Sequence, residues 1–118
     1  MQYSVEFYSR QNGEKPLAAF IAELRKKHPG LHRLVNAGIK KLGNRKYHKP
    51  PLTKLVDPDN GIYELRVGEK NIARVFWFYQ PGRVIIATNG FVKKSQKTDT
   101  AELQRACRYK KDWEERTG

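Results

Sequence analysis

Arg66 and Arg74 lie inside two apolar runs that read as adjacent strands, and the next strand ends in Lys93 and Lys94, with Lys97 close behind. An arginine inside an apolar strand gains nothing from core burial, and it costs free energy unless an anion or an open sheet face receives it. Two such arginines with paired lysines suggest a concave surface that holds phosphate. Arginine suits that task through its fixed fork of donors. The same set could also cleave RNA. The substrate supplies its own nucleophile, the 2′-hydroxyl, so the protein need only align it, neutralise a dianionic transition state and move protons. A lysine could act as base or acid if burial and neighbouring cations lower its pKa. Equally, these residues could bind phosphate without any chemistry.

Other chemistries find little support. The isolated Gly61 and Gly68 make no phosphate loop, because neither precedes a helix-like stretch. No Asp/Glu cluster is spaced to hold Mg²⁺ for a two-metal nuclease. No nucleophile–histidine pair for acyl transfer is evident, and His28, His32 and His48 fall at a helix turn and in a loop. The single Cys107 has no Cys or His companion at metal-ligand spacing, so we expect no metal and no cofactor. It reads as a small buried apolar residue on a helix of an intracellular protein. No apolar stretch is long enough to span a bilayer, and we expect a soluble, cytoplasmic protein.

The elements that must position these side chains follow from periodicity. Tyr3–Tyr8 alternates as a half-buried strand. Pro16 opens a helix with Leu17, Phe20, Ile21 and Leu24 on one face, and Pro29-Gly30 is expected to end it as the turn of a helical hairpin. Leu31, Leu34, Val35, Gly38, Ile39 and Leu42 stripe the second helix. Residues 47–60, with Pro50, Pro51 and Pro58, read as a loop. A three-stranded meander follows, with Ile62, Glu64 and Arg66 on one face of its first strand and Ile72, Arg74, Phe76 and Phe78 on one face of its second. Its third strand, from Val84 to about Phe91, is apolar on both sides and is expected to be central. A last helix is expected from Asp99, as cap, past Leu103, Ala106, Cys107 and Trp113. The expected class is α+β in the order β-α-α-β-β-β-α, one domain over residues 1–118, with an antiparallel sheet packed by the helical hairpin and the C-terminal helix.

Charge points to a partner. The chain of 118 residues carries a formal net charge of +12. Residues 31–60 hold seven basic and two acidic side chains and 61–97 the same, whereas 98–118 balance five against five. Positive charge concentrated in this way attracts nucleic acid and makes its binding salt-sensitive. Arg33, Lys40, Lys41, Arg45 and Lys46 around the second helix exceed what one substrate strand needs, so they are expected to meet ribosomal RNA.

The order of elements, Lys54-Leu55, Tyr63-Glu64-Leu65-Arg66, Arg74-Val75-Phe76 and Gly90-Phe91-Val92-Lys93-Lys94 with Gln96-Lys97-Thr98 resemble the RelE/ParE toxin superfamily, its phage-related HigB-like branch above all. The resemblance covers nearly the whole chain and is most specific from Phe91 to Thr98. It implies a toxin of a toxin–antitoxin pair that cleaves messenger RNA in the ribosomal decoding site without a metal and so inhibits translation. By position, Arg66 then contacts the scissile phosphate, Arg74 is a second phosphate ligand, Lys93 and Lys94 complete the catalytic group, and Lys54, Phe91 and Lys97 contact RNA. The implied partners are the ribosome, messenger RNA and a HigA-like helix-turn-helix antitoxin, through which alone operator DNA would be met. The final Trp113–Arg116 stretch could be a helix end that the antitoxin touches. The chain departs from the superfamily in having no Tyr between the third strand and Tyr109 and no His near the strand exit. A ParE-like topoisomerase inhibitor and a non-catalytic RNA-binding module are the alternative readings.

Overall fold

Proline opens both N-terminal helices. In the computed structural model, which describes residues 2–93 and 100–117, α1 (Pro16–Lys27) and α2 (Pro29–Lys41) each carry Pro in the first turn, where a missing N–H breaks no helical bond. Only His28 separates them, so Pro29-Gly30 belongs to the first turn of α2 and is not the connecting turn. A 3₁₀ turn at Arg45–Tyr47 follows, capped by the Asn44 side chain, which accepts from the Lys46 amide at 3.0 Å.

Five strands make one mixed sheet: β1 (Ser4–Phe7), β2 (Thr53–Asp57), β3 (Ile62–Val67), β4 (Ile72–Gln80) and β5 (Val84–Lys93), in the order β1-β5-β4-β3-β2. Two expectations are corrected here. The stretch 53–57, read as loop, is an edge strand antiparallel to β3, because the prolines at 50, 51 and 58 flank the pairing run without interrupting it. The sheet is not wholly antiparallel either, since β1 runs parallel to β5, with Val5 opposite Ile85; the connection from β1 passes through the whole hairpin and leaves room for that direction. The centre of the sheet is β4, with β5 beside it.

The alternation of each strand fills two cores. On one face Leu65, Ala73, Val75, Trp77, Ile85 and Ala87 pack against Leu17, Leu24, Leu31 and Val35 of the hairpin. On the other, Ile62, Phe76, Phe78 and Ile86 pack against Ala106 of α3 (Thr100–Thr117). The cap expected at Asp99 lies outside the described residues. The end of α3 is tied to the body of the fold. The buried Tyr8 hydroxyl donates to Asp112 at 2.6 Å, the Trp113 indole N–H donates to Gln80 at 2.6 Å, and the Arg116 guanidinium reaches the Ser9 carbonyl. Among the described residues no helix is long and apolar enough to cross a membrane.

Candidate nucleic-acid site

The α3-side face of the sheet opens, beyond the end of its apolar core, into a cavity of about 320 Å³. Lys54 from β2, Glu64 and Arg66 from β3, Arg74 from β4 and Lys93 from β5 line it, over a floor that includes Phe76, Phe91 and Leu103. Four cations and one carboxylate therefore share the cavity, and of the four the two arginines lie within ion-pairing distance of the acid. Their convergence follows from strand parity, which places residues 64 and 66 of β3 on one face, and from register, which puts Arg66 opposite Arg74 and Lys54 opposite Glu64.

Lys93 arrives there through an irregularity that periodicity could not show. Val75 pairs with Gly90 but Trp77 with Ala87, so β5 carries one extra residue against β4. Such a bulge shifts every later side chain to the opposite face. Without it Lys93 would share a side with Ile85 and Ala87, under the hairpin. With it, Phe91 and Lys93 turn to the cavity and Val92 packs into the hairpin core. Buried polar groups hold the bulge. The Thr88 hydroxyl lies 2.8 Å from the Asn89 carboxamide oxygen, and the Asn89 amide donates to the Glu102 carbonyl at 3.2 Å and its carboxylate at 3.1 Å. Gly90 has no room for a side chain, because a Cβ there would meet the Phe20 ring at 2.6 Å.

Glu64 is the residue that the sequence reading passed over. Its side chain is 6% exposed, its Oε1 accepts from Arg74 Nη1 at 2.6 Å, and Arg66 Nε stands 3.6 Å from the same oxygen. Arg74 is thereby fixed and 12% exposed, whereas Arg66 is 41% exposed and its guanidinium is presented to solvent. The Arg74 Nε–H has no partner among the described residues. The signal was present in the sequence, since an acid two residues from an interior arginine on the same strand face is placed to pair with it.

The remaining expected residues divide. Lys41 and Lys46 line a second cavity, of about 750 Å³, that also touches Arg66. Arg33, Lys40 and Arg45 are exposed and line neither cavity. Lys94 and Lys97 lie outside the described residues. His48 is structural: its Nε2 donates to the Leu42 carbonyl at 2.6 Å, which leaves Nδ1 to accept from the Tyr79 hydroxyl at 2.8 Å. Cys107 is half-buried, and burial together with the neighbouring Asp57 carboxylate raises its pKa. The Trp113–Arg116 stretch holds α3 to Tyr8, Ser9 and Gln80. Among the described residues no group of three His, Cys, Asp or Glu side chains is placed to hold a metal ion.

Fold and site together define a small α+β protein with a five-stranded mixed sheet and a cation-lined cavity on one face. The chain belongs to the family described as "Phage derived protein Gp49-like (DUF891)", whose model matches residues 22–111. It is a toxin-like family of toxin–antitoxin systems. The matched span contains every residue that lines the first cavity. No curated protein gives a match.

Proposed function

We propose that this protein is the toxin of a toxin–antitoxin pair and acts as a metal-independent endoribonuclease on messenger RNA at the ribosome, in the cytoplasm. The observation that carries the reading is the cluster of four cations with the buried Glu64 carboxylate, on the face that the Gp49-like match covers. A cavity that only gathered phosphate would use the acid to hold its two opposed arginines and for nothing more. The carboxylate has two tasks in a cleavage site. It fixes Arg74 for the phosphate, and it supplies a proton acceptor that cationic Arg and Lys side chains lack.

In this mechanism the exposed Arg66 takes the scissile phosphate and Arg74 braces it from below. Glu64 accepts the proton of the 2′-hydroxyl as its oxygen attacks phosphorus. Negative charge that builds on the non-bridging oxygens is met by Arg66, Lys54 and Lys93, already in place before the reaction. The P–O5′ bond breaks with its electron pair on the 5′-oxygen, which takes a proton from Lys54 or Lys93. The products are a 2′,3′-cyclic phosphate and a 5′-hydroxyl. The unneutralised charge of the free toxin calls for an antitoxin that masks it, with complementary electrostatics speeding association.

Induced expression with separate measurement of messenger RNA integrity and of DNA supercoiling tests the reading. Cut transcripts with normal supercoiling are expected. Intact transcripts with altered supercoiling would transfer the protein to the topoisomerase inhibitors, and no effect on either would leave a binding module.

A further inference from the structure

Four cations also border the second cavity, which opens where the end of α2, the 3₁₀ turn and the far ends of β3 and β4 meet. Lys41, Lys46, Lys49 and Arg66 line it, and no acidic residue does. The Lys41 and Lys46 ammonium groups lie 5.5 Å and 5.1 Å from the centre of the same Tyr47 ring. Each contact is a cation–π attraction, and with no carboxylate within ion-pairing distance among the described residues both charges are left to meet an anion. The floor is apolar, made by Leu52, Val67 and Ile72. Cations at a rim, an aromatic face and an apolar floor are what single-stranded nucleic acid uses: phosphates follow the charges and a base stacks on the ring.

Arg66 lines both cavities, so the two adjoin at its side chain. We propose that the cavity around Tyr47 is a single-stranded RNA groove, which carries the nucleotides next to the scissile phosphate, with a base on Tyr47 and their phosphates between Lys41, Lys46 and Lys49. Its continuity with a cleaved bond rests on the endoribonuclease reading; the groove itself rests on its own lining. Arg66 is the joint, with its guanidinium between the phosphate that is cut and the strand that is held. Stacking is tolerant of base identity, so this groove sets affinity and strand direction and reads no sequence.

The test is binding of a fluorescent 2′-O-methyl RNA hexamer of mixed sequence to the full chain, which cannot be cut because its nucleophile is blocked. The Lys41→Glu/Lys46→Glu protein should bind about tenfold more weakly or worse, with a salt slope lower by about 2. Tyr47→Ala should lose about tenfold and Tyr47→Phe should bind as wild type. Arg108→Glu/Lys111→Glu, on the helix that covers the opposite sheet face, makes the same change of four charge units at exposed positions and should bind nearly as wild type. The lysine positions are exposed, so the charge variant reports even if Tyr47→Ala folds poorly. Equal losses for the groove variant and the Arg108→Glu/Lys111→Glu control would overturn the groove, as would no binding by the wild type. If natural RNA is left uncut while the groove variants still lose the hexamer, the endoribonuclease reading falls and the groove stands. Normal cutting with unaltered hexamer binding does the reverse.

Discussion

Arg66 and Arg74 stand directly opposite each other across β3 and β4. Like charges at such a register position repel, and the Glu64 carboxylate, whose Oε1 lies 2.6 Å from Arg74 and 3.6 Å from Arg66, is what makes the pair tolerable. The two arginines nevertheless have different work. Arg74 is buried against Glu64 and belongs to the fold as much as to the site, whereas Arg66 is free to meet a ligand. Arg74→Ala should therefore cost about 3 kcal/mol of stability in urea unfolding, because it strips the main partner from a buried carboxylate. Arg66→Ala should cost less than about 1 kcal/mol of stability. In cleavage the order reverses in kind: Arg66→Ala should slow the reaction by about 3 kcal/mol in barrier while the protein stays folded. Replacing both members of the buried pair, as Glu64→Gln with Arg74→Met, should recover stability relative to Arg74→Ala and stay inactive. A normal cutting rate for Arg66→Ala would show that the chemistry lies elsewhere.

The bulge in β5 gives a second expectation. Asn89→Ala removes the amide that joins the bulge to the first turn of α3 and leaves the Glu102 carbonyl without that donor, for a loss of about 1–3 kcal/mol. Its effect on cleavage should exceed its effect on stability, because Phe91 and Lys93 reach the cavity only through the bulged register. Gly90→Ala should act in the same direction, since the new methyl group would collide with Phe20. Cleavage that falls only in proportion to the folded fraction would show that the bulge does not position Lys93.

Much of this was legible beforehand, and the limits have physical causes. Period-2 alternation placed Arg66 and Arg74 on the face of Ile62 and Phe76, and the two helical stripes supplied the hairpin. The edge strand β2 was hidden because proline signals at 50, 51 and 58 dominate a short window, although its pairing run contains none. Parallel pairing of β1 with β5 depends on a contact far apart in sequence, which local pattern does not encode. Whether Lys93 would join Arg66 depended on a bulge that no composition marks. Glu64 was written as a face partner and its bond to Arg74 was not drawn, because the charge count drew attention to cations. The surplus basic residues around α2 were assigned together, yet Lys41 and Lys46 converge on Tyr47 while Arg33, Lys40 and Arg45 are exposed and line neither cavity.

The attachment of α3 should fail at both ends of the pH scale. Burial, reinforced by the Asp112 carboxylate, pushes the Tyr8 hydroxyl up to about 12 from its ordinary 10.0. The folded chain thus favours the protonated phenol. This contribution is complete below about pH 10 and disappears as pH rises towards 12. The Tyr8 hydrogen bond, followed by Arg116, holds Asp112 below its ordinary 3.8, so its contribution is present above that value and is lost as pH falls through the lowered one. Burial also raises Tyr79 to about 12, so Tyr8→Phe should flatten only part of the alkaline loss. Thermal unfolding against pH, followed by tryptophan fluorescence because Trp113 lies on this helix, checks it. A Tyr8→Phe profile identical to wild type between pH 10 and 12 would remove Tyr8 from the account.

Ribosome association should be strongly salt-dependent, through residues that take no part in the chemistry. Arg33, Lys40 and Arg45 are exposed, make no ion pair among the described residues and line neither cavity, so their charges are available to a large polyanion. Each phosphate contact releases counterions, and each one lost should lower the slope of log affinity against log salt by roughly 1. Replacing all three with Ala should leave thermal unfolding nearly unchanged, since exposed charges far from a buried partner contribute little to stability. It should also leave binding of the short hexamer unchanged, because that strand lies along Arg66 and Tyr47. Ribosome binding should weaken while the hexamer does not, and this split separates docking from substrate capture. Sedimentation with ribosomes over a salt titration measures the first and hexamer anisotropy the second. If both fall together, the three residues belong to the substrate path and the division between docking surface and groove is wrong.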